Sequence, residues 1–400
     1  MITIGILRET RIPPDFRVAI TPMLCVELES QYDIRFLVQP SPFRIYSDAE
    51  YSDLGIELKE DLTECDVLFG VKEVKPETLI PGKKYFFFSH TTKKQPHNKK
   101  LLQTILDKGC TLIDYEEITD SSKKRLVAFG HFAGLVGAYN ALLHYGKRNN
   151  YYNLKPANQC FDFREMVEEF QIMKLPPIKI VLTGSGRVGS SASELLLRAG
   201  IKEVSVHQFL TEDFQNPVYC QLESSDYFKR KDNKTWDSAH FHKYPTEYTS
   251  DFQKFTNVAD ILIAGAFWNS AAPKLFSIED MKSNDFRIKL VADITCDING
   301  SIPCTVRASS IPDPVYDYNP YTQQTETAFS NPKNITVMAV DNLPCELPRD
   351  ASESFARQLA QNVFYNLVET DEDLILNQAT IVKQGKLTIK YAYLSSFVNS

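Results

Sequence analysis

Two short apolar runs in the first quarter of the chain each end on a side chain that can carry a proton. VLFGV is followed by Lys72, and YFFFS by His90. The two residues are too far apart for one helix face, but their spacing suits the ends of neighbouring strands. A lysine and a histidine differ enough in basicity to divide successive proton transfers between them. Taken alone, each is equally consistent with a solvated lysine or a hydrogen-bonded structural histidine.

A reason for such a pair comes from IKIVLTGSGRVGSSASELLLRAGIKEVSVHQF. KIVLT reads as a β-branched strand, GSGRVG as a glycine turn, SSASELLLRAG as a helix closed by Gly200, and EVSVH as a second strand. This is the layout of a dinucleotide-binding unit. Gly184 permits the tight turn, Gly186 lets backbone approach a pyrophosphate, and Gly189 allows helix to pack closely on strand. Ser185, Arg187 and Val188 complete the cradle at a helix N-terminus, where free N–H groups and the dipole favour an anion. A carboxylate about 20 residues past the first glycine ordinarily binds the ribose hydroxyls, and His207 is expected in that place. The coenzyme is therefore NAD(H) or NADP(H), with the preference undecided. Hydride transfer at an amine or alcohol carbon then needs a partner for the proton, which gives Lys72 and His90 a use.

The elements that must position these residues follow from the pattern. ITIGIL, DIRFLVQP, CDVLFGV, KKYFFFS and CTLIDY read as strands, with TPMLCVELESQ and NKKLLQTILDKG as helices between them, the signature of a mostly parallel α/β sheet. AGLVGAYNALLHYGKR begins a helix. A second amphipathic helix is expected to run up to Pro176 and Pro177, which stop it. ADILIAGAFWNSAAP and RIKLVADITCDINGS fit later strands of the glycine-turn sheet. Loops at the carboxyl ends of parallel strands line the ligand crevice, so Asp293 is a candidate for the coenzyme site. The segment from Asn334 to Glu369 reads as a strand, a proline-bounded loop and a helix, with Asp350 and Ser352 as possible caps. The expected fold is α/β, with two Rossmann-like domains, mostly parallel sheets and an active-site cleft between them. One domain is discontinuous, residues 1–134 plus 336–400; residues 135–335 form the dinucleotide-binding domain.

Composition excludes several other classes. At 400 residues, 43% hydrophobic and 24% charged, the chain is long and apolar enough for real cores, so neither disorder nor a fibrous class fits. A net charge of −7 offers no basic stripe for a nucleic-acid backbone. No apolar run approaches the roughly 18 residues of a membrane helix, and the N-terminal segment reads as a strand and not a signal peptide, so a cytoplasmic location is expected. The eight cysteines are scattered without a CxxC pair, and the histidines are dispersed, so no disulfide or metal site is expected.

RETRIPPDFRVAITP resembles the opening shared by alanine dehydrogenases, transhydrogenase nucleotide-binding subunits and lysine-forming saccharopine dehydrogenases. DVLFGVKEVKPETL, YFFFSHTTKKQPHN, TLIDYEEI, RLVAFGHFAGLVGAYN, DITCDINGSI and VMAVDNLPCELPRDASESF narrow the resemblance. In order and spacing they are similar to lysine-forming saccharopine dehydrogenase and to the lysine-ketoglutarate reductase domain of aminoadipic semialdehyde synthase. The resemblance implies interconversion of saccharopine with lysine and 2-oxoglutarate, with Lys72 and His90 as the acid/base groups. It further implies carboxylate clamps at Arg17 and Arg125, assisted by Lys93; an arginine fork suits a carboxylate. Glu73, Glu116 and Asp341 would hold amino groups or the nicotinamide side of the pocket. Alanine dehydrogenase activity on pyruvate and ammonia, or a nucleotide-binding regulator without turnover, are the alternative readings.

Overall fold

Apolar strands alternating with helices build two mostly parallel eight-stranded sheets. The computed structural model describes residues 1–371 and 374–399. They divide into two units, Met1–Phe129 with Pro348 onward, and Gly130–Leu347.

The first unit contains β1 (Ile2–Ile6), β2 (Ile34–Val38), β3 (Glu57–Leu58), β4 (Val67–Phe69), β5 (Lys84–Phe87) and β6 (Thr111–Asp114), and late in the chain β17 (Thr380–Lys383) and β18 (Lys386–Leu387). Their order is β18-β17-β6-β5-β4-β1-β2-β3, parallel from β1 to β6 and antiparallel at β17 and β18. β4 is wholly buried and β5 nearly so, as central parallel strands covered on both faces must be. Phe69 of β4 stacks on Phe86 of β5, with centroids 4.5 Å apart and planes 3° from parallel. This aromatic packing ties the two strands together near their ends.

Pairing of Val67 with Lys84 and Phe69 with Phe86 fixes an offset of 17 residues between β4 and β5. Extended past the strand ends, that register sets Glu73, and not Lys72, opposite His90. The helix Pro348–Leu359 covers the same region. It starts earlier than the sequence cues implied: Asp350 and Ser352 lie within it and are not its caps. Ser352 is used differently, its hydroxyl accepting the Val18 N–H at 3.0 Å. Phe355 of this helix stacks on Phe129 at 4.3 Å.

The second unit contains β7 (Lys179–Thr183), β8 (Lys202–Glu203), β9 (Val218–Leu222), β12 (Ile261–Ala264), β13 (Leu290–Asp293), β14 (Val315–Asn319), β15 (Gln324–Glu326) and β16 (Ile335–Met338), in the order β15-β14-β16-β13-β12-β7-β9-β8. A separate hairpin joins β10 (Phe228–Arg230) and β11 (Tyr248–Ser250). Residues 336–347, assigned from the sequence to the first domain, lie in this unit because β16 pairs with β13. The helix expected before Pro176 is short, Phe163–Glu168 with a 3-10 turn after it.

One sequence reading needs correction here. EVSVH does not form the strand beside the glycine strand; only Lys202 and Glu203 are extended, at the sheet edge. Ser205 caps a short helix, Val206–Thr211, through a capping box with Gln208, and His207 is an exposed residue of that helix. The neighbour of β7 is β9.

Candidate active site

The loops that follow β4, β5 and β6 carry most of the residues singled out in the first unit. Lys72 follows β4 and is mostly buried; burial, then the positive charges of Arg17 and Arg11, push its ammonium below the usual lysine range. His90 ends the run after β5 in a left-handed conformation, φ 51° and ψ 15°, an uncommon backbone for a residue with a side chain and one that clusters at functional sites. Its Nδ1 meets the Glu73 carboxylate directly. Burial would raise Glu73, but the hydrogen bond and charge of His90 outweigh it and hold the carboxyl below its ordinary value. An ionised Glu73 favours the tautomer with the proton on Nδ1.

Two carboxylates, half-buried Glu9 and buried Asp114, fix these loops by their backbones. Glu9, just past β1, accepts the Val71 N–H at 2.7 Å and the Lys72 N–H at 2.9 Å. Asp114, at the end of β6, accepts the N–H of Ser89 at 2.9 Å and of Glu116 at 2.8 Å, and also the Ser89 hydroxyl. Burial, with Asp15 adding to it, lifts Glu9 to about 7; burial lifts Asp114 to about 6. Neither residue stood out in the sequence, because a carboxylate in RET or LIDY reads as a surface charge until the strand order places it between two loops.

Glu116 gathers Lys93 and Arg125, each 3.1 Å from its Oε1. Arg125, Lys93 and His90 together overcome burial and lower its carboxyl. Arg17 is buried and held by Asp15 through its Nε at 2.9 Å and Nη2 at 2.6 Å, with its guanidinium 4.2 Å from the Phe129 ring centroid. A small pocket of about 90 Å³ brings together Arg8, Glu9, Thr10, Lys72 and Glu73.

The glycine turn lies in the second unit, between β7 and the helix Arg187–Arg198. Gly184 adopts φ +93°, and a Cβ there would stand 2.9 Å from Ala266 backbone; a Cβ on Gly189 would stand 1.9 Å from the Gly184 carbonyl oxygen. Beside Gly186 the space is open. Ser185, Gly186, Arg187 and Val188 thus form a cradle whose shape only glycine at 184 and 189 allows, which fits a dinucleotide pyrophosphate. Gln221 of β9 supports the cradle, donating to the Gly184 carbonyl at 2.8 Å. Asp293 is buried and spends its oxygens on Thr295, Cys296 and Thr305, so it shapes the loop after β13. Asp341 is an exposed residue after β16. All eight cysteines are free. Among the described residues, no cluster of three His, Cys, Asp or Glu could hold a metal ion, and no helix is long and apolar enough to cross a membrane.

Comparison with known proteins agrees with this architecture. Residues 5–136 match the family described as Alanine dehydrogenase/PNT, N-terminal domain. Alpha-aminoadipic semialdehyde synthase of Arabidopsis thaliana is 31% identical across 98% of the chain and 41% of its own length. The mitochondrial protein of that name from Mus musculus is 31% identical across 92% of the chain and 45% of its own. The chain thus spans less than half the length of these two relatives. Saccharopine dehydrogenase [NAD(+), L-lysine-forming] of Neurospora crassa is 26% identical over 86% of both chains. Among solved structures, an L-alanine dehydrogenase superposes with a TM-score of 0.67 at 15% identity, covering 100% of this chain and 99% of that one. A transhydrogenase from Sinorhizobium meliloti superposes with a TM-score of 0.58 at 15% identity, covering 96% and 98%. The chain is thus similar along most of its length to proteins named saccharopine dehydrogenase and alpha-aminoadipic semialdehyde synthase, and it shares the fold of the solved L-alanine dehydrogenase.

Proposed function

We propose that this chain interconverts saccharopine with L-lysine and 2-oxoglutarate, using NAD(H) or NADP(H). The observation that carries the reading is the strand-end group Lys72, Glu73 and His90, held by Glu9 and packed phenylalanines in a chain whose relatives of similar length are named for this reaction.

Held by the turn from Gly184 to Gly189, a bound dinucleotide would supply the hydride acceptor for the carbon attached to the secondary amine of saccharopine. Every proton is left to side chains of this chain. The secondary ammonium must first lose a proton, and Lys72, whose burial and positive neighbours lower its ammonium below the usual lysine range, is placed to take it. The resulting imine then needs water to be deprotonated as it attacks and the leaving amine to be protonated as the C–N bond breaks. Nε2 of His90 suits these transfers because Glu73 holds the ring's other nitrogen. Lysine and 2-oxoglutarate are the products, and the same steps reversed form saccharopine.

Saccharopine carries three carboxylates. Arg125 and Lys93, both drawn to Glu116, form a positive group able to receive one, and Arg17 is a second site, pre-oriented by Asp15. Glu73, Glu116 and Asp341 are proposed to hold amino groups or the nicotinamide side. The reading is tested by following oxidation of NADH or NADPH with lysine and 2-oxoglutarate, supplied together and singly.

A further inference from the structure

We propose that the turn Ile389–Leu394 holds the carboxylate-receiving group of the site in place, with Tyr391 as the positioning residue for the loop that carries Glu116. The proposal deepens the reading of Lys93, Arg125 and Glu116 as the place where a substrate carboxylate sits, and it rests on that reading. The late turn touches both loops that supply Glu116 and Lys93, each time at the neighbour of the site residue. Glu116 and Glu117 share one 3-10 turn, Tyr115–Glu117, after β6. The Oε2 of Glu117 lies 2.6 Å from the Tyr391 hydroxyl and 3.0 Å from the Lys390 ammonium. The Gln378 carbonyl is also near both groups, at 2.9 Å and 3.1 Å. Tyr391 has one proton to donate, and a carboxylate is the stronger acceptor. Burial, then Glu117 itself, pushes the phenol upward, so Tyr391 stays a donor. On the other loop, Lys93 ends the 3-10 turn Thr91–Lys93, and the ammonium of Lys94 just after it is 5.0 Å from the Tyr393 ring centroid.

The late turn is itself anchored to the sheet. β17 pairs with β6, and β18 with β17. Past β18, Thr388 donates its N–H to the Ile381 carbonyl at 3.0 Å and its hydroxyl to the Thr380 carbonyl at 2.7 Å. The Tyr391 N–H in turn reaches the Thr388 carbonyl at 3.0 Å, and its side chain is buried. A buried phenol on a fixed backbone therefore sets where Glu117 stands and, through a three-residue turn, where Glu116 stands. Lys93 and Arg125 meet at Glu116 Oε1, so displacing that oxygen moves the point where the two cations converge. Lys72 and His90 are held by other groups, Glu9 and Glu73. The contact thus bears on substrate binding and not on proton transfer.

The test is steady-state oxidation of saccharopine by the full chain, with NAD⁺ and with NADP⁺. Tyr391→Phe keeps the ring and removes the hydroxyl. It should raise KM for saccharopine by about fivefold or more, with kcat within about twofold of wild type. Glu117→Gln should raise KM in the same way, and the double variant should be no worse than the poorer single one, as two groups acting as a unit require. Ile389→Ser, on the same turn with its side chain in solvent, should leave KM and kcat as they were. An unchanged KM in Tyr391→Phe, whether or not Tm falls, or a fall in kcat at constant KM, would overturn the proposal alone. A wild type that oxidises saccharopine with neither dinucleotide would overturn the reading beneath it and the proposal together.

Discussion

The Glu9 carboxylate holds Lys72 by its backbone, accepting the Lys72 N–H through Oε2 and the preceding Val71 N–H through Oε1. The candidate base is thus fixed by the strand next to its own. Glu9→Gln keeps the shape but turns an amide donor toward one of those N–H groups, which then loses its acceptor. Turnover should fall by up to about 100-fold, since a small misplacement of a reacting group is that costly. Dinucleotide affinity should hold, because the glycine turn is in the other unit. Parallel measurement of kcat and of NADH binding checks both halves.

Lys72→Met and His90→Gln each remove one group proposed to handle protons and leave the residues of the glycine cradle unchanged. Each should lower kcat by about 10²–10⁴-fold while the dissociation constant for the reduced dinucleotide stays within about twofold of wild type. Near-wild-type turnover in either variant would remove that residue from the chemistry.

Glu346 links stability to pH. It is buried, with Asn140 donating to it at 2.9 Å, and burial raises its carboxyl from 4.5 to about 7. A carboxyl raised on folding favours the native state most below pH 4.5, and this contribution is lost as pH rises through about 7. Glu346→Gln keeps the acceptor for Asn140 and removes the titration. The variant should be more stable than wild type above pH 7, by as much as about 3 kcal/mol, and its stability should fall less between pH 5 and 8. Urea unfolding midpoints across that range give the comparison.

Much of this architecture was legible in the sequence because it depends on local pattern. KIVLT, the glycine turn and the helix after it are specified by β-branching, glycine spacing and an apolar stripe, all readable along one stretch of chain. Lys72 and His90 could be singled out in the sequence because apolar runs announce strand ends. What the sequence hid depends on pairing between distant segments. The offset that seats Glu73 against His90 follows from the pairing of β4 with β5, where Phe69 stacks on Phe86. Glu9 and Asp114 become loop anchors only once β1, β4, β5 and β6 lie side by side. EVSVH misled because its alternation suits a strand, whereas Ser205 and Gln208 start a helix there and leave the place beside β7 to VYCQL.

The most direct measurement of the central claim is mass-spectrometric detection of the product formed from isotopically labelled lysine, 2-oxoglutarate and reduced dinucleotide. The account predicts saccharopine carrying the label, formed in step with dinucleotide oxidation and abolished when either carbon substrate is omitted. Oxidation that proceeds with pyruvate and ammonium, or none with any amine and keto-acid pair, would contradict it.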